Sequence, residues 1–458
     1  MFNKVLVANR GEIAVRVIRA LREMGIRSVA VYSEADRESL HVMLADEAVC
    51  IGPAPSAESY LNMEAILSAA VATGAQAIHP GYGFLSENAR FAGLCKLCGI
   101  TWIGPSAEVI ERMGDKSEAR STMKKAGVPV IPGTAEALHD AASALKAARK
   151  IGFPVMIKAS AGGGGKGMRR ADSPAVFEEM FRAAQAEAAS GFGDDSMYLE
   201  RCVQHPKHVE VQILADRFGN VVHVGERDCS VQRRHQKVLE ESPCAALTDA
   251  QRARIGKMAV RAAKAAGYEN AGTIEFLLEP SGRFYFMEMN TRIQVEHPVT
   301  EQVSGIDLIK EQIRIAAGEK LCCTQRELQL RGHAIECRIN AERPELGFLP
   351  SPGKVSGLHL PGGNGVRVDT HLYQGYTVSP HYDSMLLKLI VHGKDREEAL
   401  AKLRSALGET VIEGVHTNID FLYEIINHKA FAAGRTDTDF IPRYFARYQK
   451  GRRPKDAE

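Results

Sequence analysis

The first 114 residues alternate short apolar runs with amphipathic stretches. Residues 5–8 form a continuous apolar run, as in a buried strand, and residues 12–24 place their apolar positions on one helical face. Further strand-like runs lie at residues 28–32, 48–51, 77–79 and 101–104. Because strands that alternate with helices form parallel sheets, the pattern predicts an α/β domain over residues 1–114.

The pattern changes beyond residue 114. Residues 115–203 combine an apolar strand, a glycine run and a helical stretch, and are expected to form a second unit. From residue 204 strand-like runs alternate with turns, which indicates an antiparallel sheet. We expect this sheet unit to end near residue 330, a C-terminal unit to cover residues 331–446 with a helical tail over 396–427, and residues 447–458 to form a frayed charged tail.

Composition excludes some classes of protein. A chain of 458 residues is too long for one hydrophobic core, and a net charge of +2 gives no sign of a nucleic-acid binder. The nine cysteines are scattered and odd in number, and residues 1–4 leave no room for a leader, so we expect reduced thiols and a cytoplasmic location. No apolar run approaches 18 residues, so no membrane span is expected.

Residues 162–167 form the run GGGGKG directly after an apolar strand. Backbone without side chains can fold closely over phosphate oxygens and donate N–H groups to them. Lys166 and the nearby Lys158 would add positive charge. The run lacks the Ser or Thr of a Walker A loop and only weakly matches a dinucleotide fingerprint. It predicts a mobile phosphate-covering lid, with a flexible surface turn as the alternative.

A predicted hairpin places acidic residues on one face. Residues 273–278 and 283–290 are strand-like and are joined near residues 281–282. Alternation puts these residues on core faces: Ile274, Phe276 and Leu278 on the first strand, and Tyr285, Met287 and Met289 on the second. The opposite face carries Glu275, Glu288 and Asn290. A two-residue turn would set Glu275 directly opposite Glu288, a four-residue loop would set them diagonally, and a three-residue loop would break the pairing.

Two adjacent carboxylates repel each other unless something compensates. A hard cation such as Mg²⁺ would do so, and carboxylate and amide oxygens suit it alongside nucleotide phosphates. A solvated polar face and a protonated carboxyl pair are the alternatives.

Polar residues continue with the same parity after the hairpin. Glu288, Asn290, Arg292, Gln294 and Glu296 would line one face if this segment stays extended. Arg292 could then clamp a small oxyanion, and Glu296 could act as a general base. The basic stretch at residues 226–237 reads on its own as a solvated charged loop, and residues 336–340 read as an alternating strand with Arg338 on its polar side.

Several strings together resemble one family. They are VANRGEIA at residues 7–14, HPGYGFLSEN at 79–88, the glycine run, residues 226–237 and EMNTRIQVEHP at 288–298. The chain resembles biotin carboxylase, of the ATP-grasp superfamily, from about residue 2 to residue 445. The resemblance implies mixed α/β and α+β structure: a Rossmann-like N-terminal domain (1–114), a lid (115–203), an ATP-grasp core (204–330) and a C-terminal antiparallel-sheet domain (331–446).

The resemblance also implies roles for individual residues. It gives these nucleotide contacts: Lys116, Lys158, Gly164, Gly165, Lys166, Gly167, Glu200, Arg201, Val203, His208, Gln232, His235, Glu275 and Glu288. It gives Glu275, Glu288 and Asn290 as ligands of Mg²⁺ or Mn²⁺, and these residues as the bicarbonate site: Lys237, Arg292, Gln294, Val295 and Glu296. Arg338 would contact biotin, and the catalytic residues would be Lys237, Arg292, Glu296 and Arg338.

The implied reaction is the ATP-dependent carboxylation of carrier-bound biotin. Bicarbonate would be activated as carboxyphosphate, in the first half-reaction of acetyl-CoA carboxylase. The expected partners are a biotin carboxyl carrier protein, carboxyltransferase subunits and a second copy of the chain. Three alternatives stay open: a subunit of a propionyl-CoA or pyruvate carboxylase, another ATP-grasp ligase, and a nucleotide-sensing scaffold without turnover.

Overall fold

The computed structural model describes residues 1–134, 136–160 and 167–449. Its first part has these elements: β1 (Lys4–Val7), α1 (Gly11–Glu23), β2 (Arg27–Ser33), α2 (Leu40–Leu44), β3 (Glu47–Gly52), α3 (Met63–Thr73), β4 (Ala77–His79), α4 (Ala89–Leu97), β5 (Thr101–Trp102) and α5 (Ala107–Gly114). The strands pair in parallel in the order β3-β2-β1-β4-β5, which confirms the predicted parallel sheet.

The loops that follow β1 and β4 meet at the carboxyl edge of this sheet. Asn9 donates through Nδ2 to the Pro80 and Tyr82 carbonyls, each at 2.7 Å. Gly81 lies so close that a Cβ atom there would stand 2.9 Å from that amide nitrogen, and its φ is +61°. Only glycine meets both conditions without strain. The VANRG and HPGYG strings therefore interlock at the point where the strand order reverses.

The second part forms a small module. Its elements are α6 (Lys116–Lys125), α7 (Ala141–Ile151), β6 (Val155–Ala159), β7 (Met168–Ala171), α8 (Pro174–Phe192) and β8 (Met197–Arg201). The strands form an antiparallel sheet in the order β7-β6-β8. Phe177 and Phe181 of α8 pack on this sheet in a core of its own.

The third part supplies most of the largest sheet. Its elements are β9 (Lys207–Ala215), β10 (Val221–Arg233), β11 (Gln236–Ser242), α9 (Asp249–Ala265), β12 (Asn270–Leu278), β13 (Phe284–Asn290), α10 (His297–Ser304) and α11 (Leu308–Ala316). Helix α9 begins at a capping box in which Thr248 and Gln251 satisfy each other's backbone N–H groups. Its apolar residues pack on β9 and β12, which fixes that face of the sheet.

The fourth part completes the sheet and covers it. Its elements are β14 (His333–Asn340), β15 (Glu342–Arg343), β16 (Leu349–Pro350), β17 (Gly353–Lys354), β18 (Gly357–His359), β19 (Val366–Thr370), β20 (Thr377–Val378), β21 (Met385–Gly393), α12 (Arg396–Glu409), β22 (Val411–Glu413), α13 (Ile419–Asn427), α14 (Lys429–Ala432), α15 (Phe440–Tyr444) and α16 (Ala446–Gln449). The expected helical tail over 396–427 is instead two helices, α12 and α13, separated by the strand β22, which pairs with β18.

One antiparallel sheet runs across the predicted boundary at residue 330. Its order is β13-β12-β9-β10-β11-β14-β21-β19, so β11 pairs with β14. The antiparallel sheet expected after residue 204 is thus confirmed, and it includes strands of the C-terminal part. Among the described residues, no helix has the length and apolar character to cross a membrane.

Candidate active site

The predicted opposition of Glu275 and Glu288 is confirmed. The two residues face each other in the β12–β13 register, and both side chains lie on the edge hairpin of the large sheet. The loop, however, has three residues, Pro280 to Gly282, since the Glu279 N–H donates to the Arg283 carbonyl at 2.9 Å. The expectation that such a loop breaks the pairing is wrong, because a register shift between Glu275 and Phe276 restores it.

That register shift is a β-bulge at Met287, which also corrects the predicted core face of β13. Phe276 pairs with Phe286 and Ile274 pairs with Met289, so Met287 is the extra residue on β13. The core side chains of this strand are therefore Phe284, Phe286 and Met289. Tyr285 instead packs with Ile131 and Val203 in a separate small cluster, and Met287 is half-buried.

The segment after the hairpin is not extended. Strand β13 ends at Asn290, and Glu296 is the residue that precedes α10, with φ −80° and ψ 10°. The predicted alternation over residues 288–296 is therefore wrong. The turn nevertheless brings the polar side chains back toward Glu275, because Gln294 Nε2 donates to Glu275 Oε1 at 2.9 Å.

Lys237 is the centre of the acidic cluster. Its ammonium lies 2.5 Å from Glu210 Oε2, 2.9 Å from Glu275 Oε1 and 2.5 Å from Glu296 Oε1. These three carboxylates come from β9, β12 and the start of α10. One cation thus joins three elements, and its position on β11 follows from the tight turn that Arg234 and His235 make with positive φ.

Charge within this cluster is strongly organised. Burial opposes ionisation of Glu296, but Lys237 and Arg338 outweigh it and hold the pKa of Glu296 well below its usual range. The pKa of Glu275 is likewise held low, with burial opposed by Lys237 and His208. Glu296 is therefore an anion near neutral pH.

Arg292 lies beside the metal-ligand candidates. Its Nε donates to Glu87 Oε2 at 2.8 Å, and its Nη2 donates to Asn290 Oδ1 at 3.2 Å. The Asn290 amide in turn donates to Glu275 Oε1 at 2.8 Å. Glu87 belongs to the HPGYGFLSEN string of the N-terminal domain, so the guanidinium is held between two domains.

A buried lysine holds the backbone next to Glu296. Lys388 on β21 is 0% exposed, and its ammonium donates to the Val295 carbonyl at 2.9 Å. It also lies 3.1 Å from Glu12 Oε1 of α1, a carboxylate that accepts a hydrogen bond from Tyr82. Val295 therefore has its place fixed by both the N-terminal domain and the C-terminal sheet.

Arg338 reaches the same cluster from β14. Its Nε donates to Glu240 Oε1 at 2.7 Å, and its Nη2 donates to Glu296 Oε2 at 2.9 Å. Arg338 and Lys237 thus bind the two oxygens of Glu296, one each. The structure brings together all the residues predicted for the bicarbonate and biotin sites.

The predicted nucleotide contacts gather around Glu200 on β8. Lys158 on β6 donates to Glu200 Oε2 at 2.5 Å, and Arg120 of α6 binds the other oxygen. Burial lowers the pKa of Lys116, against the opposing charge of Glu288. The charges of Glu288, Lys158 and Glu200 all act on the Lys116 ammonium.

The other predicted nucleotide contacts are distributed around this group. Arg201 bonds Glu279 at 2.5 Å, which ties the end of β8 to the hairpin loop. His208 Nε2 lies 3.1 Å from Glu275 Oε2 on the neighbouring strand. Gln232 is buried opposite Lys237, and His235 lies in the turn that follows. The predicted contacts Gly164, Gly165 and Lys166 lie outside the described residues, and Gly167 has φ +69°.

The reading of residues 226–237 as a solvated loop is wrong. Most of this stretch is the buried strand β10, and Arg227 is 0% exposed. Its guanidinium donates to five oxygens of this region: Glu210 Oε1 at 2.6 Å, Gln212 Oε1 at 2.9 Å, Thr300 Oγ1 at 3.0 Å, Thr273 Oγ1 at 3.1 Å and Gln294 Oε1 at 2.8 Å. Every N–H donor of the Arg227 guanidinium has an acceptor, so this buried residue holds the side chains around it in place.

The hairpin acids fit a divalent cation. Burial and the neighbouring Glu275 both raise the pKa of Glu288, which shows that negative charge here lacks full compensation. Among the described residues, two groups also offer ligand atoms within 4.8 Å of one another: His208 with Glu210 and Glu275, and Glu210 with Cys229 and Glu296. Lys237 already bridges the carboxylates of these groups, whereas Glu288 receives no such ion pair in the described part of the chain, which leaves its charge available to a cation.

Sequence reasoning missed several residues of the site. They are Glu87, Arg120, Glu210, Arg227, Glu240, Glu336 and Lys388. Glu336 could have been found, because it shares the strand parity of Arg338. Glu87 stood in a recognised string but had no assigned role. The others depend on contacts between distant parts of the chain.

Family models match nearly the whole chain. The N-terminal domain model of biotin carboxylase matches residues 1–110, and the C-terminal domain model of biotin carboxylase matches residues 336–443. Between them, the ATP-binding domain model of the carbamoyl-phosphate synthase L chain matches residues 115–324.

Curated relatives and solved structures agree with these models. Biotin carboxylase of Allochromatium vinosum is 56% identical over 442 residues, covering 96% of this chain and 98% of that protein. Biotin carboxylase 1 of Bacillus subtilis is 54% identical, covering 97% and 99%. A biotin carboxylase–beta-gamma-ATP complex from Campylobacter jejuni superposes with a TM-score of 0.95 at 50% identity, covering 97% of this chain and 99% of that chain.

A second structure was solved with several small molecules bound. The biotin carboxylase domain dimer of Hydrogenobacter thermophilus 2-oxoglutarate carboxylase, in complex with MgADP, ADP and bicarbonate, has a TM-score of 0.95 at 48% identity and covers 100% of both chains. With three family models and relatives above half identity over almost its full length, this chain belongs to the biotin carboxylase family of ATP-dependent ligases.

Proposed function

We propose that this chain uses ATP to activate bicarbonate as carboxyphosphate and transfers the carboxyl group to biotin on a carrier protein. One observation supports this most strongly: Lys237 and Arg338 bind opposite oxygens of Glu296, at 2.5 and 2.9 Å. An ionised base flanked by two cations is suited to holding a small anion and accepting its proton.

Bicarbonate is a poor electrophile, and phosphorylation makes it reactive. Phosphoryl transfer requires mainly positioning and charge neutralisation. We assign Lys237 and Arg292 to holding bicarbonate, with Gln294 and the Val295 backbone orienting it, and Glu296 to accepting its proton. Carboxyphosphate then breaks into CO2 and phosphate, and the phosphate removes the proton from the ureido nitrogen of biotin that takes up the CO2. Arg338 stabilises the enolate-like ureido oxygen that forms.

The nucleotide side is assigned to the residues around Glu200. Lys116 and Lys158 contact phosphates. Glu200 and Arg201 at the end of β8, with Val203 just beyond it, hold the adenine. His208, Gln232 and His235 contact ribose and phosphate. The glycine run is assigned to a lid that excludes water, since carboxyphosphate hydrolyses readily. Glu275, Glu288 and Asn290 would hold Mg²⁺ or Mn²⁺, which would supply positive charge to offset that of the ATP phosphates.

The acceptor system we propose is acetyl-CoA carboxylase, with a carrier protein and carboxyltransferase subunits as partners. The support is that curated relatives named biotin carboxylase are 53–56% identical, whereas the biotin carboxylase subunit of a pyruvate carboxylase is 49% identical and the pyruvate carboxylase of Rhizobium etli is 42% identical. We further propose that the chain forms a homodimer, since the Hydrogenobacter thermophilus domain is a dimer. We also propose that it works in the cytoplasm.

Arg338→Ala separates the two half-steps. We expect biotin carboxylation to be lost while some bicarbonate-dependent ATP cleavage remains, because we assign Arg338 to the biotin oxyanion, and Lys237 and Arg292 to holding bicarbonate. With bicarbonate and free biotin present, ADP release measures ATP cleavage and carboxybiotin formation measures carboxyl transfer. Unchanged carboxylation would remove Arg338 from the mechanism, and absence of bicarbonate-dependent ATP cleavage in the native chain would defeat the proposed function.

Glu288→Gln tests the metal assignment. Removing one of the hairpin carboxylates should weaken Mg²⁺ binding. The Mg²⁺ concentration for half-maximal ATP cleavage should rise by about tenfold or more, which corresponds to one lost ligand interaction of about 1.4 kcal/mol. Glu397→Gln, on the exposed side of α12, is the control. An enzyme with native rate and native Mg²⁺ dependence would refute the site.

A further inference from the structure

Two buried glutamates lie beside Arg338 and have no role in the reaction described above. Glu240 on β11 and Glu336 on β14 are directly opposite in the antiparallel register, and both are 0% exposed. Side chains at opposed positions of such a pair have Cβ atoms about 4.5–5.5 Å apart. Helix α10 packs over this face, where its Val299 contacts Ala334 and Ile390. The two carboxyl groups therefore share one closed space.

This space contains almost no hydrogen-bond donors. Glu240 Oε1 accepts from Arg338 Nε at 2.7 Å. Among the described residues, Glu240 Oε2 and both oxygens of Glu336 have no partner at all. A buried carboxylate without donors is costly, and two such carboxylates repel each other. A proton on one of them removes the repulsion and supplies the missing donor.

The surrounding charges do not replace that proton. The groups that face the pair are Arg338 on β14, Lys388 on β21, Lys237 on β11 and Glu296 at the start of α10. Lys388 is committed to Glu12 and the Val295 carbonyl, and Lys237 to three other carboxylates. Burial first and Glu240 next keep the pKa of Glu336 well above its usual range, and burial raises that of Glu240 to about 7.

We propose that Glu240 and Glu336 share one proton, with the Glu336 acid donating to Glu240 Oε2, and that this pair positions Arg338. The pair then carries one negative charge instead of two, so the acids behind Arg338 offset less of its positive charge than two ionised carboxylates would. More of that charge is left for the developing oxyanion of biotin. The inference rests on the proposed function for the role of Arg338, but the shared proton does not.

The arrangement predicts a pH dependence with a definite sign. Because the folded chain holds this proton more tightly than an exposed carboxyl would, the proton is lost only as the pH rises through the raised pKa. Its loss places a second negative charge behind Arg338. We expect kcat/KM for biotin to fall on the alkaline side, and Glu336→Gln, which mimics the neutral acid, to remove this limb.

Infrared spectroscopy tests the proton directly in the intact chain. The spectrum of the native protein minus that of Glu336→Gln at pH 7 should contain the C=O stretch of a protonated carboxylic acid. Glu311→Gln is the matched control, because Glu311 is also buried, at 2% exposed, but its oxygens accept hydrogen bonds from Arg314 at 2.8 Å and the Cys322 N–H at 3.2 Å. A difference spectrum that contains only the bands of an ionised carboxylate would overturn the proposal.

Glu240→Gln keeps the test open if Glu336→Gln does not fold. Removing the neighbouring charge should shift the acid band of Glu336, and it should raise KM for free biotin by about tenfold, as loss of one charge-assisted hydrogen bond requires. An unshifted band with native KM would also overturn the proposal. A native protein with the acid band but no carboxylation would defeat the proposed function alone.

Discussion

At the scale of single residues, Arg227 shows how burial converts a charged stretch into a scaffold. Its planar fork joins Glu210 of β9 to Gln294 of the turn before α10, and so links the Lys237 cluster to the bicarbonate segment. The sequence around it contains six charged residues in twelve, which favours a solvated loop. Only the pairing of β10 between β9 and β11 places this residue inside.

Arg227→Lys should weaken both stability and activity. Lysine offers three donors from a point charge and cannot reproduce the fork, so at least one buried acceptor loses its partner at about 1–3 kcal/mol. Urea unfolding should detect that loss, and bicarbonate-dependent ATP cleavage should fall at least about tenfold. Arg254→Lys, on the exposed side of α9, is the control. Native stability and rate in Arg227→Lys would contradict this role.

At the scale of elements, the periodicity of apolar residues correctly predicted helices and strands whose limits depend on local sequence. Strand β4 and helix α1 were predicted within one residue of their observed limits, and Glu275 was placed opposite Glu288. The bulge at Met287 was not predictable, because alternation alone assumes an unbroken register. The turn after Asn290 was also missed, since the hydrogen bonds that hold Gln294 and Arg292 come from β10 and from Glu87, far along the chain.

The two methionines of β13 test the bulge. Alternation assigns both Met287 and Met289 to the core, whereas the structure packs only Met289 there, at 4% exposed. We expect Met289→Ala to cost about 2–5 kcal/mol of unfolding free energy and Met287→Ala to cost less than about 1 kcal/mol. Denaturant titration of the two variants measures the difference. Equal losses would mean that the strand is regular.

At the scale of the whole molecule, buried imidazoles make the domain junction sensitive to acid. His371 follows β19 and packs near Arg10 and Gly11 of the N-terminal domain. Burial, followed by the charge of Arg10, lowers the pKa of His371 to about 3. Below its ordinary value of about 6.5 the unfolded chain therefore takes up a proton that the folded chain refuses.

Stability should consequently fall as the pH drops from about 6.5 toward 3. His371→Gln should flatten this slope by at most about 1.4 kcal/mol per pH unit, which is the contribution of one proton. Unfolding free energies between pH 7 and pH 5 measure it. His416→Gln, at an exposed position, is the control variant. If both variants keep the native slope, His371 does not govern this behaviour.

The continuous eight-stranded sheet limits how this protein can be divided. A fragment ending near residue 330 would leave β11 with a bare edge, its backbone groups open to pairing with another molecule. It would also remove β14, the strand that pairs with β11 beside Lys237 and Glu240. Separately expressed halves should therefore aggregate rather than complement each other, whereas the three-stranded module with its own core is the natural place for insertions and exchange between relatives.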